Sequence, residues 1–134
     1  NEEISTAASK ISSLKIVREK MVEIQRKIAK NKNVVLEGRD IGTIVFPDAE
    51  HKFFITASLE ERAKRRYEQL KLNNIKADYT NVINDMIKRD ENDSTRKFSP
   101  LKPAEDAILI DTTNMDLNEV TKTIAQYIGG SNVL

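Results

Sequence analysis

The chain has 134 residues, a formal net charge of +1 from 22 Lys+Arg against 21 Asp+Glu, and no Cys. That length fits one compact domain. The near-cancelling charge speaks against a nucleic acid polymer as partner, and the missing Cys excludes disulfides, thiolate metal sites and cysteine nucleophiles, in keeping with a reducing cytoplasm. No apolar run approaches the ~20 residues that cross a bilayer and no signal-peptide pattern opens the chain, so no membrane partner is expected. The hydrophobic share of 39% reaches about 42% with Gly counted, a little below the ~45–50% of ordinary globular domains. A thin core is expected.

The first thirty residues read as two helices. Ile4, Ala7, Ala8, Ile11, Leu14, Val17, Met21, Ile24 and Ile28 recur at three- and four-residue steps, as one buried helical face requires. Ser12-Ser13 divides them, and Asn31-Lys32-Asn33 ends the region with turn formers. Val34-Val35-Leu36 then reads as a buried parallel strand that stops at the polar cluster Glu37-Gly38-Arg39-Asp40. A linker over 41–47 closes on the turn signal Pro47-Asp48.

A second strand is predicted over 52–56. Ser58 with Glu61 three residues later forms a capping box for a helix that runs to about 72. Residues 73–78 read as loop. A further helix runs from 79 to about 89, with Val82, Ile83, Met86 and Ile87 inward, and 90–102 read as irregular and charged. A third strand is predicted over 107–110. Asp116 and Glu119 cap a last helix, 117 to about 128, which Gly129-Gly130 terminates. Strands alternating with helices imply an α/β layer structure with a parallel sheet. Three strands are few for such a sheet, and its edges would be poorly covered.

Three clusters could carry chemistry. Glu37-Gly38-Arg39-Asp40-Ile41-Gly42-Thr43 puts a cation and a carboxylate at the carboxyl end of a strand, where open α/β sheets bind ligands, although a surface ion pair between turn glycines fits as well. In Arg89-Asp90-Glu91-Asn92-Asp93-Ser94-Thr95-Arg96, residues 89, 93 and 96 project to one side of a helical turn. Guanidinium groups there match phosphate oxygens and the carboxylate matches sugar hydroxyls; a solvated, salt-bridged face is the plainer reading. Arg62, Arg65 and Arg66 lie early on a helix, where cations oppose the macrodipole. They read either as a lid over phosphates or as a face paired with Glu60, Glu61 and Glu68. His51 is the single histidine and, with no second ligand at metal spacing, reads as a surface residue.

In order and spacing, Ala7-Ala8-Ser9, Val17-Arg18-Glu19, the twelve residues from Gly38-Arg39-Asp40-Ile41-Gly42-Thr43 to Pro47-Asp48-Ala49, the 58–66 segment, Arg89-Asp90 to Arg96, Ser99-Pro100-Leu101 and Asp111-Thr112-Thr113 resemble bacterial cytidylate kinases. The resemblance runs from about residue 3 to 127. It implies a three-layer α/β/α P-loop nucleoside monophosphate kinase fold in a single domain over 1–134, incomplete at its N-terminus. It also implies ATP-dependent phosphorylation of CMP or dCMP with Mg2+. By position, it implies that Ser9, Arg18 and Asp40 hold the cytosine, that Arg39 and Arg89, with Arg96 beside them, hold the CMP phosphate, and that Asp93 meets the sugar. Arg62, Arg65 and Arg66 would close over the ATP phosphates. The family is expected to be cytoplasmic and monomeric.

One departure stands out. The four Gly are at 38, 42, 129 and 130, and no Gly-Lys occurs, so the Walker A loop of such kinases, with its phosphate lysine and Mg2+-binding hydroxyl, is not in this sequence. The chain therefore reads as roughly the last three-fifths of a kinase, inactive alone and prone to self-association. The resemblance puts the Walker A strand between the strands at 34–37 and 53–56, so those two are expected to collapse together or to pair with another chain. A non-catalytic pyrimidine-nucleotide binding module is the alternative. An RNA-binding domain has little support, with aromatics at 5% and no basic stripe.

Overall fold

The computed structural model describes residues 7–8, 11, 14–95, 97 and 100–129. Ile4, Ser9, the Ser12-Ser13 break, Arg96 and Ser99 lie outside the described residues.

Helix α1, Lys15–Ala29, forms over the predicted periodic segment, and its last turn carries Arg26 and Lys27, cations suited to the negative end of the helix dipole. Asn31 follows with φ 59°, the left-handed conformation that stops a helix and that Asn tolerates. The face α1 buries differs from the predicted one. Leu14, Met21, Ile24 and Ile28 stay exposed, while Val22 and Ala29 are buried. One residue along a helix turns the face by about 100°. The element packed against α1 is the turn at 41–45, held by polar contacts from Arg18 and Arg26, so charge rather than the apolar stripe sets the rotation of the helix.

Val34-Val35-Leu36 forms no strand, a correction to the sequence reading. The segment belongs to neither strand of the sheet, and Val35 is 99% exposed. A β-branched run becomes a strand only beside a hydrogen-bonding partner, and among the described residues 34–36 pairs with no strand. The sheet has two strands, β1 (Phe53–Thr56) and β2 (Ile108–Asp111), parallel, with Phe53 opposite Ile108 and Thr56 opposite Asp111. The Phe53 ring packs on Tyr127, centroids 6.1 Å apart.

Between the strands run α2 (Leu59–Leu72) and α3 (Tyr79–Ser94), packed on each other through Ala63 and Val82, both buried, with Tyr67 and Tyr79 edge to face at 5.8 Å. The Ser58 hydroxyl caps α2 by accepting from the Glu61 N–H at 3.2 Å, and the Asp78 carboxylate caps α3. Helix α3 runs on to Ser94, through a stretch the sequence reading left irregular. Helix α4 (Leu117–Tyr127) opens on the full Asp116–Glu119 capping box and ends before Gly129 at φ 89°. Among the described residues no helix is long and apolar enough to cross a membrane.

The core is as small as the composition implied, and Val45, 1% exposed, is its best-buried large side chain. Val45→Ala should lower unfolding free energy by about 2 kcal/mol, the transfer of two methyl-sized groups plus a residual cavity. Val35→Ala should change it by less than about 0.5 kcal/mol. Urea titration of the two variants checks the contrast.

Candidate functional site

The segment 38–46 brings the functional side chains together. After Asp40 the chain forms one wide, π-type helical turn, Ile41–Val45. The Asp40 carbonyl accepts from the N–H of Ile44 at 2.8 Å and of Val45 at 3.2 Å, and the Ile41 carbonyl accepts from Phe46 at 2.7 Å. Such i→i+5 turns are rare and concentrate at functional sites. The turn replaces the predicted linker. A Cβ at Gly38 would lie 2.8 Å from Ile41 Cγ1, so any side chain there would force Ile41 to shift.

Asp40 is 4% exposed and faces Arg18 of α1. The guanidinium donates through Nε to Oδ2 at 2.8 Å and through Nη2 to Oδ1, a two-point match of fork to carboxylate. The neighbouring Arg39 turns to α3 and donates through Nη1 to Asp93 Oδ1. Asp93 is also 4% exposed, with Arg89 Nε at 3.9 Å from its second oxygen. Two adjacent residues, Arg39 and Asp40, thus each meet an opposite charge from a different helix. Arg18–Asp40 and Arg39–Asp93–Arg89 are two sets of ion pairs, brought to one turn by the adjacent backbone positions 39 and 40. Because α3 continues to Ser94, Arg89 and Asp93 share one helical face at i,i+4, which an irregular 90–102 would not secure. The Leu101 N–H then bonds the Asp93 carbonyl at 2.8 Å, folding the chain back beside it.

The three arginines of α2 are engaged separately. Arg62 grips Asp90 of α3 with Nη1 at 3.0 Å and Nη2 at 2.8 Å, and donates Nε to the Ala57 carbonyl at 3.1 Å. The partner 28 residues away explains a cation that sits badly against its own helix dipole. Arg65 bonds Glu61 at 2.9 Å, the Thr112 carbonyl at 2.6 Å and the Met115 carbonyl at 3.3 Å, tying α2 to the loop after β2. Arg66 reaches Gln69 at 2.8 Å on the exposed face. Asp90 and Asp93 lie one turn apart on α3 and connect α2 to the 38–46 segment.

Beyond β2, Thr112 is 2% exposed and donates its hydroxyl to the Thr56 carbonyl at 2.9 Å. The Thr113 hydroxyl accepts from the Ser58 N–H at 2.9 Å and donates to Asp111 Oδ1 at 2.6 Å. Bonds from the Thr113 hydroxyl and N–H hold the Asp111 carboxyl below its ordinary 3.8, because they stabilise the charged form. Lys52 acts likewise on Asp106, through a 2.6 Å bond. Reasoning from sequence missed Lys52, Asp90 and Arg26, whose partners are distant in the chain. Among the described residues no group of three or more His, Cys, Asp or Glu side chains could hold a metal ion.

A two-strand parallel sheet joined through a helical pair, with ion-paired arginines around a turn before the first strand, accords with the α/β fold of P-loop nucleoside monophosphate kinases. The family model for cytidylate kinase matches residues 1–129, and the chain belongs to the cytidylate kinase family. It is 54% identical over 125 residues to a cytidylate kinase of Caldanaerobacter subterraneus, covering 93% of this chain and 56% of that protein. It is 48% identical over 130 residues to one of Carboxydothermus hydrogenoformans, covering 97% and 59%. For one of Caldicellulosiruptor saccharolyticus the identity is 50% over 123 residues, covering 92% and 54%. The chain thus spans little more than half the length of the curated relatives it matches.

Asp40 and Asp111 each carry a testable stability effect. Asp40→Asn leaves the Arg18 guanidinium, 19% exposed, without its counter-charge, and should cost about 3 kcal/mol in a urea titration. For Asp111, a carboxyl pulled below 3.8 stabilises the fold above that pH and stops doing so as pH falls through its lowered value. Wild type should therefore exceed Asp111→Asn in stability at pH 6, and the gap should close below pH 3.8. Denaturation midpoints from pH 6 to 2.5 check it; a gap independent of pH overturns it.

Proposed function

We propose that this chain supplies the nucleoside-monophosphate side of a cytoplasmic kinase that phosphorylates CMP or dCMP from ATP. A terminal oxygen of the CMP phosphate attacks the γ-phosphorus of ATP, the bond to the β–γ bridging oxygen breaks, and ADP and CDP (or dCDP) leave. In this reading Arg18 and Asp40 take the base. Each oxygen of the Asp40 carboxylate has a second lone pair for the cytosine amino group, and Arg18 has further N–H donors for the ring acceptors. Uracil would bring a carbonyl to the carboxylate, leaving two acceptors facing each other.

Arg39 and Arg89 take the CMP phosphate, and Asp93 the sugar hydroxyls. Ser9 and Arg96 join the base and phosphate contacts respectively. Phosphoryl transfer needs positioning and charge neutralisation rather than a protein nucleophile, which suits a site built of arginines. Arg62, Arg65 and Arg66 belong to the lid over the ATP phosphates, and engagement there requires Arg62 and Arg65 to exchange their bonds to Asp90 and Thr112 for bonds to phosphate. Among the described residues no group of three or more acidic or His side chains could hold a metal ion, so a Mg2+ ion would depend on the ATP phosphates for most of its ligands.

The observation that carries this reading is the juxtaposition of a buried Arg18–Asp40 fork with the adjacent Arg39–Asp93 pair. Its family membership supports the same substrate class. A second reading, a pyrimidine-nucleotide binding module without chemistry, rests on the same Arg18–Asp40 and Arg39–Asp93 pairs. Calorimetric titration of the chain should give CMP binding at least about tenfold tighter than UMP or AMP, the worth of one hydrogen-bonded pair. A coupled ADP assay on the same chain should show no turnover. Equal affinity for the three nucleotides overturns both readings, and turnover by the chain alone overturns the second.

A further inference from the structure

Arg26 belongs to none of the clusters above, yet it holds the turn that carries them. It stands eight residues after Arg18 on α1, and the two share a face with Val22 and Ala29, the buried side of the helix. Its Nε donates to the Val45 carbonyl at 2.8 Å and its Nη2 to the Ile44 carbonyl at 2.8 Å. These are the last carbonyls of the wide turn, beyond the reach of its own N–H groups, and a helical end leaves such acceptors in need of a donor. The N–H groups of the same two residues bond the Asp40 carbonyl. A continuous path runs from the Arg26 guanidinium through the peptide groups at 44 and 45 to the backbone of Asp40, whose carboxylate returns to α1 at Arg18.

Helix α1 therefore grips the turn at both ends, with attachment points separated by eight residues, about 12 Å of rigid helix. A planar fork suits two neighbouring carbonyls better than a single ammonium would. A plain cation in the last turn of α1 would satisfy the helix dipole, and Lys27 already supplies one; the two carbonyl bonds are what that role leaves unexplained. We infer that Arg26 is a positioning residue: by clamping the end of the 41–45 turn it fixes where the Asp40 carboxylate stands opposite Arg18, and so sets pyrimidine selectivity. The selectivity half of this inference rests on the reading of Arg18 and Asp40 given above.

The test uses the 134-residue chain with Arg26→Gln, Arg26→Lys, Lys27→Gln and Asp40→Asn. Two readouts are taken: amide hydrogen exchange at Ile44 and Val45, and the ratio of CMP to UMP affinity. Arg26→Gln should speed exchange at both amides on the order of tenfold and reduce the affinity ratio by a similar factor, the effect of losing hydrogen bonds from a charged donor. Arg26→Lys, which keeps the charge but loses the fork, should fall between, and Lys27→Gln should match wild type in both. Should Arg26→Gln not fold, Arg26→Lys decides. Exchange at wild-type rates in Arg26→Lys and Arg26→Gln overturns the clamp, and an unchanged CMP to UMP ratio beside faster exchange overturns the selectivity role. If wild type and Asp40→Asn both fail to discriminate the two nucleotides, the reading of the base site falls, while the exchange rates still decide whether Arg26 holds the turn.

Discussion

The structure depends on two carboxylates that it has taken almost wholly out of water. Asp40 and Asp93 are buried to the same degree as the apolar core, and a carboxylate so placed costs several kcal/mol of hydration unless a cation meets it with good geometry. Arg18 and Arg39 do so. Removing one partner of such a pair is far more damaging than never having built it, so the pairs constrain the surrounding backbone strongly. Helix α1 must present Arg18 to residue 40, and α3 must extend far enough to bring Asp93 to residue 39. The turn between them has to hold two adjacent side chains pointing to different helices. With few fully buried apolar side chains available, this charged framework contributes more to uniqueness than the hydrophobic core can.

The rotation of α1 shows the competition directly. Its apolar stripe through Leu14, Met21, Ile24 and Ile28 would be buried if hydrophobic area alone decided, yet the helix turns its Arg18, Val22, Arg26 and Ala29 side to the 41–45 segment. Burying a medium apolar side chain gains about 1.5–3 kcal/mol, while an unmet buried carboxylate costs at least as much. Apolar surface on the far side is left uncovered, together with Val34-Val35-Leu36.

Local rules read most of the elements correctly, and the failures have physical causes. The periodic run of α1, the Ser58 and Asp116 caps, the strands near 53–56 and 108–111, and the Gly129 stop are encoded within a few residues of where they act. Helix α3 ran past its expected end because Asp90, Glu91, Asn92, Asp93 and Ser94 look like loop residues by composition, whereas contacts with Arg62 and Arg39 hold them in helix. Val34-Val35-Leu36 has strand composition but pairs with no strand among the described residues, and a strand is a property of a pair. Residues 39, 40, 89 and 93 were legible as local charged clusters, whereas Arg18 stood out only through resemblance, since nothing in the local spacing says that it will meet Asp40 across 22 positions. Arg26 gave no such signal; only its i+8 relation to Arg18 could have raised it, and that is a weak hint on any charged helix.

Helix α3 joins the two halves of the molecule mechanically. Asp90 and Asp93 are three residues apart on one rigid element, the first held by Arg62 of α2 and the second by Arg39. A helix this long transmits displacement without bending unless a Pro, Gly or bulge interrupts it, and α3 contains neither Pro nor Gly. Movement of Asp93 relative to the 38–46 turn is therefore shared by Asp90, and through the two bonds of its fork by Arg62 and the start of α2. Arg65, four residues further along in sequence than Glu61 and bonded to it, carries the same displacement to the carbonyls of Thr112 and Met115 after β2. Water reaches Arg62 and Asp90, 33% and 43% exposed, so that pair adds little to the apolar packing of α2 on α3. The buried pairs at Asp40 and Asp93 fix the frame, and the Arg62–Asp90 fork ties α2 to it.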